Sequence, residues 1–475
     1  MRVPKAIENK VIFSNLPGAT QTKAVVRRGT LPRQHLKSTH LHTLFFLCGV
    51  FVVLPFFDVP LIGLSVTAPL LLPMMYFSFF RSERPWIHRY RGCVQIALAI
   101  WLTMAVSFVA NGPWFGARDI DPKEIAYIIR YLFWVMVFLT TAHVASDFRI
   151  QRQLPLVLGI AVVVLAGLRC FEGIVLGKIG AWTNTIFTTQ NNYGILFSTF
   201  TPFLFPMFLG RGFIRKVVFS CGLFFVLFAC AINGSRGSWI CIVLALLVSF
   251  ILGLLSRPQM SLRMILPVGF VALALVSAMV GNTHIREAVL GRFSTLDNLD
   301  GDKSYMVREV MNQRSLKLFE LSPWFGIGPG RYNSIYVPLE LPLILAGKSE
   351  ESFMRRSAHN SYLSFLAEGG VIGALPLTAL LLFLATRGAL AAIALNRQGE
   401  RWALGVYASF IAMSVHFWAL AGLTGTHAWY VYGLLVATIV LGNRAHQSTS
   451  GISVRQLSLQ PRPMFGTSRP AVVGY

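Results

Sequence analysis

Charged residues are scarce in this sequence. Lys, Arg, Asp and Glu together make up 13% of the 475 residues, and the mean hydropathy is +0.61. A soluble protein carries roughly a quarter charged residues. The composition therefore excludes an ordinary water-soluble protein and indicates a membrane protein.

Cysteine is also scarce, and its placement excludes a disulfide framework. The chain has six cysteines, all in or at the edge of apolar runs: Cys48, Cys93, Cys170, Cys221, Cys230 and Cys241. None lies in a segment predicted to face the outside, and no Cys-x-x-Cys pair offers a metal site. We interpret them as small apolar side chains of the interior.

Acidic residues are few, since 19 Asp and Glu stand against 42 Lys and Arg and leave a net charge of +23. Such a charge would suit a nucleic-acid-binding protein, but the basic residues concentrate in alternate segments between the apolar runs. This distribution is the positive-inside pattern, which sets membrane topology. We therefore expect both termini and five loops in the cytoplasm, contact with anionic membrane lipid, and no nucleic-acid partner.

Long apolar runs are what the chain has in abundance. Runs of about 17 to 23 residues can cross a hydrocarbon layer of roughly 30 Å. The sequence predicts an all-α polytopic membrane protein with about twelve transmembrane helices. The predicted crossings lie near 41–57, 60–80, 92–110, 125–143, 154–176, 192–209, 214–232, 237–255, 263–281, 361–386, 402–422 and 427–442. The first is interpreted as an anchor rather than a cleaved signal.

The crossings divide the chain into five parts. These are a basic tail at 1–40, crossings one to nine at 41–281, a polar segment at 282–358, crossings ten to twelve at 359–442, and a basic tail at 443–475. The tails lack periodicity and are predicted to be cytoplasmic. The polar segment is predicted to be one large periplasmic loop.

Part of the polar segment is predicted to be helical. From Ser304 to Leu321 apolar residues recur at helical intervals, with Arg308, Arg314 and Lys317 between them. Ser322 and Pro323 end this helix, and a glycine-rich bend follows. We expect a short amphipathic helix across the outer mouth of the protein.

A histidine stands where the polar segment meets the tenth crossing. His359 shares one helical stripe with Leu363, Leu366, Gly370 and Gly373, and glycines on such a stripe let a neighbouring helix approach. A neutral imidazole at this border can accept the proton of a sugar hydroxyl, so His359 is the candidate catalytic base. The alternative is an interfacial histidine that caps the helix or binds a lipid headgroup.

Three arginines on the predicted outer side are candidates for binding a diphosphate, because the planar guanidinium matches phosphate oxygens. Arg236 occupies a very short turn between crossings seven and eight, Arg308 lies on the amphipathic helix, and Arg331 follows the glycine bend. The alternatives are a snorkelling Arg236 at a helix end and solvated side chains for the other two.

Three amides are candidates for binding sugar or acceptor. Asn191 and Asn192 begin crossing six from the outside, and Asn360 follows His359. The alternative role of such residues is helix capping.

The sequence predicts no metal site and no cofactor. Asp119 and Asp121 form an Asp-x-Asp pair of the kind that holds a metal in some sugar transferases, but a short charged loop readily produces this pattern. Asp297, Asp300 and Asp302 lack the register of a helix-loop-helix calcium site. Within crossing five, Arg169 and Glu172 are spaced for an ion pair on one helix face.

Taken together, the chain resembles the bacterial O-antigen ligase and polysaccharide polymerase superfamily. The resemblance is carried by His-Asn and the following glycines at 359–373, by Ser-Arg-Gly at 235–237, and by the run from Arg308 to the Pro-Trp-Phe-Gly-Ile-Gly-Pro-Gly element at 323–330.

The resemblance implies a C-type glycosyltransferase fold in the bacterial inner membrane. It also implies a metal-independent, inverting transfer of glycan from an undecaprenyl-diphosphate carrier at the periplasmic face. In ligases of lipopolysaccharide biosynthesis the acceptor is lipid A–core, whereas in O-antigen and exopolysaccharide polymerases it is a second lipid-linked glycan. His359 would act as base, and Arg236 and Arg308 would stabilise the leaving diphosphate.

A lipid-glycan flippase or transporter is the competing class, because such proteins also have about twelve crossings. They usually keep ionisable groups at mid-membrane and repeat one half of the fold in the other. Here few charged residues lie within crossings, and the polar segment divides the crossings nine to three. The sequence favours an enzyme that works at one membrane face and leaves ligase and polymerase undecided.

Overall fold

The computed structural model describes most of the chain. The described residues are 34–54, 58–59, 64–65, 73–76, 90–111, 122–178, 189–208, 213–258, 302–342, 349–354, 356, 358–420, 422–423 and 425–458, with isolated positions at 269, 286–287, 290–291 and 345. The chain divides into two compact units, Met1–His40 and Leu41–Tyr475. The candidate site lies entirely in the second unit.

The described residues are mostly helical. The helices in chain order are α1 Gln34–Val53, α2 Arg91–Ala110, α3 Pro122–Val144, α4 Phe148–Cys170, α5 Gln190–Phe200, α6 Phe213–Asn233, α7 Arg236–Ser256, α8 Lys303–Leu321, α9 Glu350–Met354, α10 Ser361–Arg397, α11 Trp402–His416 and α12 Thr426–Ser458. A π-helical turn, Phe171–Val175, continues α4.

Six helical segments of the described chain are long and apolar enough to cross a membrane. They are Arg91–Ala110, Glu124–Val144, Phe148–Val175, Lys216–Asn233, Arg236–Ser256 and Ser361–Arg397. Leu41–Val53 and Trp402–His416 are shorter apolar helices. The polytopic membrane class is thereby confirmed, whereas the number twelve stays a prediction, because almost all of 263–281 and most of 60–80 lie outside the described residues.

The membrane-facing side of α7 shows how such a helix meets lipid. Its exposed apolar side chains recur every three or four residues: Ile240, Val243, Leu247, Ile251 and Leu255. The opposite face buries small residues such as Ala245 and Ser249 against the protein. An apolar stripe of this kind is unfavourable in water and suited to hydrocarbon.

Two predicted crossings have a different structure from the one expected. Strands β1 Asp58–Val59 and β2 Leu64–Ser65 pair antiparallel where the helix 60–80 was predicted to begin. Pro60 and Gly63, which disfavour helix, stand between these strands. The run 192–209 is broken, because α5 gives way to the 3₁₀ turn Thr201–Leu204.

Two helices continue beyond the ends of the predicted crossings. The tenth crossing was predicted to end at 386, but α10 continues to Arg397. The last crossing was predicted to end at 442, but α12 continues to Ser458, within the predicted tail.

The polar segment folds around a core of its own. Helix α8 spans the helix predicted from Ser304 to Leu321 and buries Val307, Val310, Met311 and Leu318; its place at the outer mouth stays a prediction. Within this core lies Arg314, which is fully buried.

Arg314 is buried because it satisfies backbone carbonyls that the loop leaves unpaired. Its guanidinium donates to the Phe353 carbonyl at 3.1 Å and to the Tyr332 carbonyl at 2.7 Å. It also lies 4.8 Å from the centre of the Tyr332 ring. A buried charge is tolerated where such partners surround it, and this one ties the loop to α8.

Helix α10 is interrupted at Gly370, whose φ of 62° and ψ of −168° are not helical. The loop 323–328 inserts at this break and supplies the backbone hydrogen bonds that the helix lacks there. The bonds run from Ile327 N to Ala367 O, from Gly328 N to Glu368 O, from Val371 N to Pro323 O and from Ile372 N to Trp324 O, at 2.9 to 3.1 Å.

The interruption corrects the predicted continuous stripe from His359 to Gly373. The backbone that packs against Gly370 belongs to a loop of the polar segment, at Trp324 and Gly326, and not to a neighbouring helix. Tertiary contacts thus fix the polar segment to the same helix that begins beside His359.

Candidate active site

A cavity of about 230 Å³ lies where three helices begin. The first turns of α5 and α8 and the start of α7 contribute to its wall, together with the residues that lead into α10. The lining residues are Thr189, Gln190, Asn191, Gly234, Ser235, Arg236, Ser304, Val307, Arg308, Arg356 and His359. Helix N-termini carry partial positive charge and unpaired N–H groups, so they favour an anion.

His359 is positioned by the residue that follows it. Asn360 is the N-cap of α10, and its side-chain oxygen accepts from the Tyr362 and Leu363 N–H groups at 3.0 and 3.1 Å. The next residue, Ser361, donates through its N–H to the Phe417 carbonyl at the end of α11. The backbone beside the imidazole is therefore fixed by two helices.

The electrostatic environment keeps the His359 imidazole neutral. Burial is the largest cause that lowers its pKa from 6.5 to about 4, and the nearby Arg308 and Arg356 guanidinium groups contribute to the same shift. At pH 7 the ring therefore has a lone pair free to accept a proton.

Three guanidinium groups and no carboxylate line the cavity wall, all from the described part of the chain. Arg236 comes from the start of α7, Arg308 from the second turn of α8, and Arg356 from the residues before α10. Arg356 also lies 5.3 Å from the centre of the Phe353 ring. The cavity is therefore positively charged and suits a ligand with more than one negative charge.

Arg356 was not among the site residues predicted from the sequence. The only signal available was its position three residues before His359, at the end of the polar segment. Many basic residues occupy such borders for topological reasons, so position alone does not select it.

The structure brings together four of the seven predicted site residues. Asn191, Arg236, Arg308 and His359 line the cavity. The remaining three lie outside this lining, and each has another contact.

Asn360 serves as the helix cap described above. Asn192 is exposed on α5, and its backbone N–H donates to the Thr189 hydroxyl at 3.2 Å. Arg331 lies 3.6 Å from the Glu124 carboxylate on α3 and donates to the Asn111 carbonyl at 3.4 Å. We therefore leave these three out of the proposed site.

No group of three or more His, Cys, Asp or Glu in the described residues is placed to hold a metal ion. Asp119, Asp121, Asp297 and Asp300 lie outside the described residues. Asp302 is described, and its carboxylate forms an ion pair with Arg236.

A buried polar network supports the cavity wall from behind. Arg169 and Glu172 form the predicted ion pair, at 3.7 Å. Arg169 also donates to the Asn233 side chain at 3.1 Å, and the Asn233 amide donates to the Gln190 carbonyl at 3.0 Å. This network joins the end of α6 to the start of α5, on either side of the cavity.

Part of the chain matches a known family. Residues 221–378 match the family model Wzy_C, described as O-antigen ligase. The matched segment contains Arg236, Arg308, Arg356 and His359, and it confirms the resemblance to the O-antigen ligase-related superfamily. No curated protein matches the chain significantly.

Proposed function

We propose that this protein transfers a glycan from an undecaprenyl-diphosphate carrier to an acceptor hydroxyl at the periplasmic face of the bacterial inner membrane. The proposed acceptor is lipid A–core, as in an O-antigen ligase. The observation that supports this function is that His359, Arg236 and Arg308 line one cavity. All three residues belong to the segment that matches the O-antigen ligase family.

On the donor side, the reaction breaks the bond between the anomeric carbon and a phosphate oxygen. Negative charge grows on the departing diphosphate, and Arg236 and Arg308 stabilise it, with Arg356 as a third cation. The helix N-termini at the cavity add partial positive charge. Such preorganised electrostatic stabilisation lowers the barrier because the groups need not reorient during the reaction.

On the acceptor side, His359 accepts the hydroxyl proton while the acceptor oxygen attacks the anomeric carbon. One displacement inverts the configuration at that carbon. Because Arg308 and Arg356 lower the pKa of His359, a bound diphosphate that offsets their charge raises it. The base is thus strengthened when the donor is in place.

The decisive test is transfer by protein reconstituted in liposomes with lipid-linked glycan and lipid A–core. His359→Ala should lower the transfer rate by about 10²- to 10⁴-fold, the usual contribution of a general base. The control is His42→Ala, which removes a histidine near Asp147 outside the cavity and should leave transfer unchanged. Near-normal transfer by folded His359→Ala protein would remove His359 from the mechanism.

A polymerase would use the same cavity with a second lipid-linked glycan as acceptor. The glycan that accumulates in a deletion strain distinguishes the two, since full-length polymer on the carrier indicates a ligase and single repeats indicate a polymerase. A flippase would move the lipid-linked glycan across the liposome membrane without forming a glycosidic bond, and that result would overturn the proposal.

A further inference from the structure

Asp302 contacts two elements of the cavity at once. One carboxylate oxygen accepts from the Ser304 N–H at 2.9 Å and thereby caps helix α8. The other oxygen forms an ion pair with the Arg236 guanidinium at the start of α7. The two helices are far apart in sequence, and this carboxylate connects their first residues.

The cap determines where α8 begins and therefore where its cavity residues lie. Ser304, Val307 and Arg308 all fall within the first two turns after Asp302 and line the cavity. The ion pair acts on the other wall, because Arg236 is the first residue of α7.

The ionised state of Asp302 is stabilised by these contacts. Burial alone would raise the pKa of this carboxyl, but hydrogen bonds from Arg236 and from the Ser304 and Tyr305 N–H groups outweigh burial and lower it. The carboxylate is therefore charged at neutral pH.

We infer that Asp302 is a positioning residue that holds Arg236 and the start of α8 in register, so that Arg236 and Arg308 together face the diphosphate. The inference rests on the proposed function. An unrestrained arginine side chain samples many rotamers, whereas a guanidinium with one N–H held by a carboxylate keeps its remaining donors in a fixed direction. Such preorganisation favours the transition state.

The same carboxylate has an opposite effect on donor binding. It places a negative charge beside the site of the diphosphate, so it weakens ground-state affinity by repulsion. A residue that raises the rate but lowers affinity has a kinetic signature that a purely structural residue lacks.

The test is Asp302→Asn in the reconstituted assay. Asparagine caps a helix as well as aspartate does, so its oxygen keeps the contact with the Ser304 N–H. Its NH2 group carries no charge and cannot accept a hydrogen bond from Arg236, so the contact with Arg236 is lost. We expect kcat to fall about 10- to 100-fold, the effect of a small misplacement of a binding group. The KM for the lipid-linked donor should stay equal or decrease. If Asp302 only caps the helix, Asp302→Asn will have wild-type kcat, and the inference fails.

The matched control is Asp147→Asn. Asp147 is also an N-cap, since its carboxylate accepts from the Arg149 N–H at the start of α4 at 2.8 Å, and it lies outside the cavity lining. This variant should leave both kcat and KM unchanged. A comparable loss of kcat in Asp147→Asn would show that removal of any such cap reduces activity and would overturn the inference.

A double-mutant cycle tests whether Asp302 acts through Arg236. In an Arg236→Lys background, Asp302→Asn should cause little further loss of kcat, because residues that act as a unit are not additive. Additive losses would contradict the inference. If His359→Ala and Arg236→Lys both retain transfer, the proposed function fails; if they lose transfer and Asp302→Asn does not, only this inference fails.

Discussion

The interruption of α10 at Gly370 predicts that this position tolerates no side chain. A Cβ atom built on Gly370 lies 2.4 Å from the Trp324 carbonyl oxygen and 2.5 Å from the Gly326 nitrogen. Both are backbone atoms of the inserted loop and cannot rotate away. The φ of 62° is also a value that residues with a Cβ rarely adopt.

The two effects set the magnitude for Gly370→Ala. Backbone strain of this kind costs about 1 to 3 kcal/mol, and overpacking costs typically about 1 to 3 kcal/mol. Detachment of the loop would relieve the clash but would lose its backbone hydrogen bonds, each worth about 1 kcal/mol. We expect Gly370→Ala to lower the free energy of unfolding by about 2 to 6 kcal/mol.

The assay is thermal unfolding in detergent, in which size-exclusion chromatography of the heated protein measures the fraction that remains folded. Gly373→Ala on the same helix is the control, because its Cβ would lie 3.7 Å from the nearest atom, the Met104 methyl group, which is an ordinary contact. Gly370→Ala should unfold at a clearly lower temperature than Gly373→Ala. Equal stability of the two variants would refute the inserted loop and would support a continuous glycine stripe on α10.

Three other variants test parts of the structure around the cavity. Arg314→Lys should destabilise the polar segment by about 2 to 4 kcal/mol, because it leaves buried carbonyls unpaired. Limited proteolysis measures this loss, and the control is Lys317→Ala, which removes only an exposed hydrogen bond to the Pro338 carbonyl. Equal protease resistance of the two variants would contradict the prediction. Arg356→Gln removes a cation that lowers the pKa of His359, so the pKa of His359 should rise. Because transfer is lost as pH falls through that pKa, the acid limb of the kcat/KM profile should move to higher pH. An unchanged acid limb would show that Arg356 has no effect on the base. Asn233→Ala should reduce kcat by freeing the start of α5 while the protein stays folded, and unchanged kinetics would make the buried network purely structural.

The transmembrane helices were the part of the fold most accessible from sequence. Crossings predicted at 92–110 and 237–255 correspond to α2 Arg91–Ala110 and α7 Arg236–Ser256. Within hydrocarbon every backbone polar group must bond within its own segment, so an apolar run of sufficient length becomes a helix. Local composition is enough to decide this.

The polar segment was less accessible, because its residues have more than one stable environment. Arg314 is of a residue type that is usually solvated, yet it lies in the core, where carbonyls from a distant loop surround it. Gly370 has the spacing of a helix-packing residue, yet it adopts a conformation that only the inserted loop stabilises. Neither outcome follows from the residues nearby in sequence.

Composition and periodicity were sufficient to predict a polytopic membrane protein with His359, Arg236 and Arg308 near the ends of its helices. Both predictions rest on local properties of the chain. That these three side chains share a cavity with Arg356, and that Asp302 connects two of its walls, is visible only in the folded protein. Such meetings depend on how α5, α7, α8 and α10 pack, and packing between residues far apart in sequence leaves no pattern in any one segment.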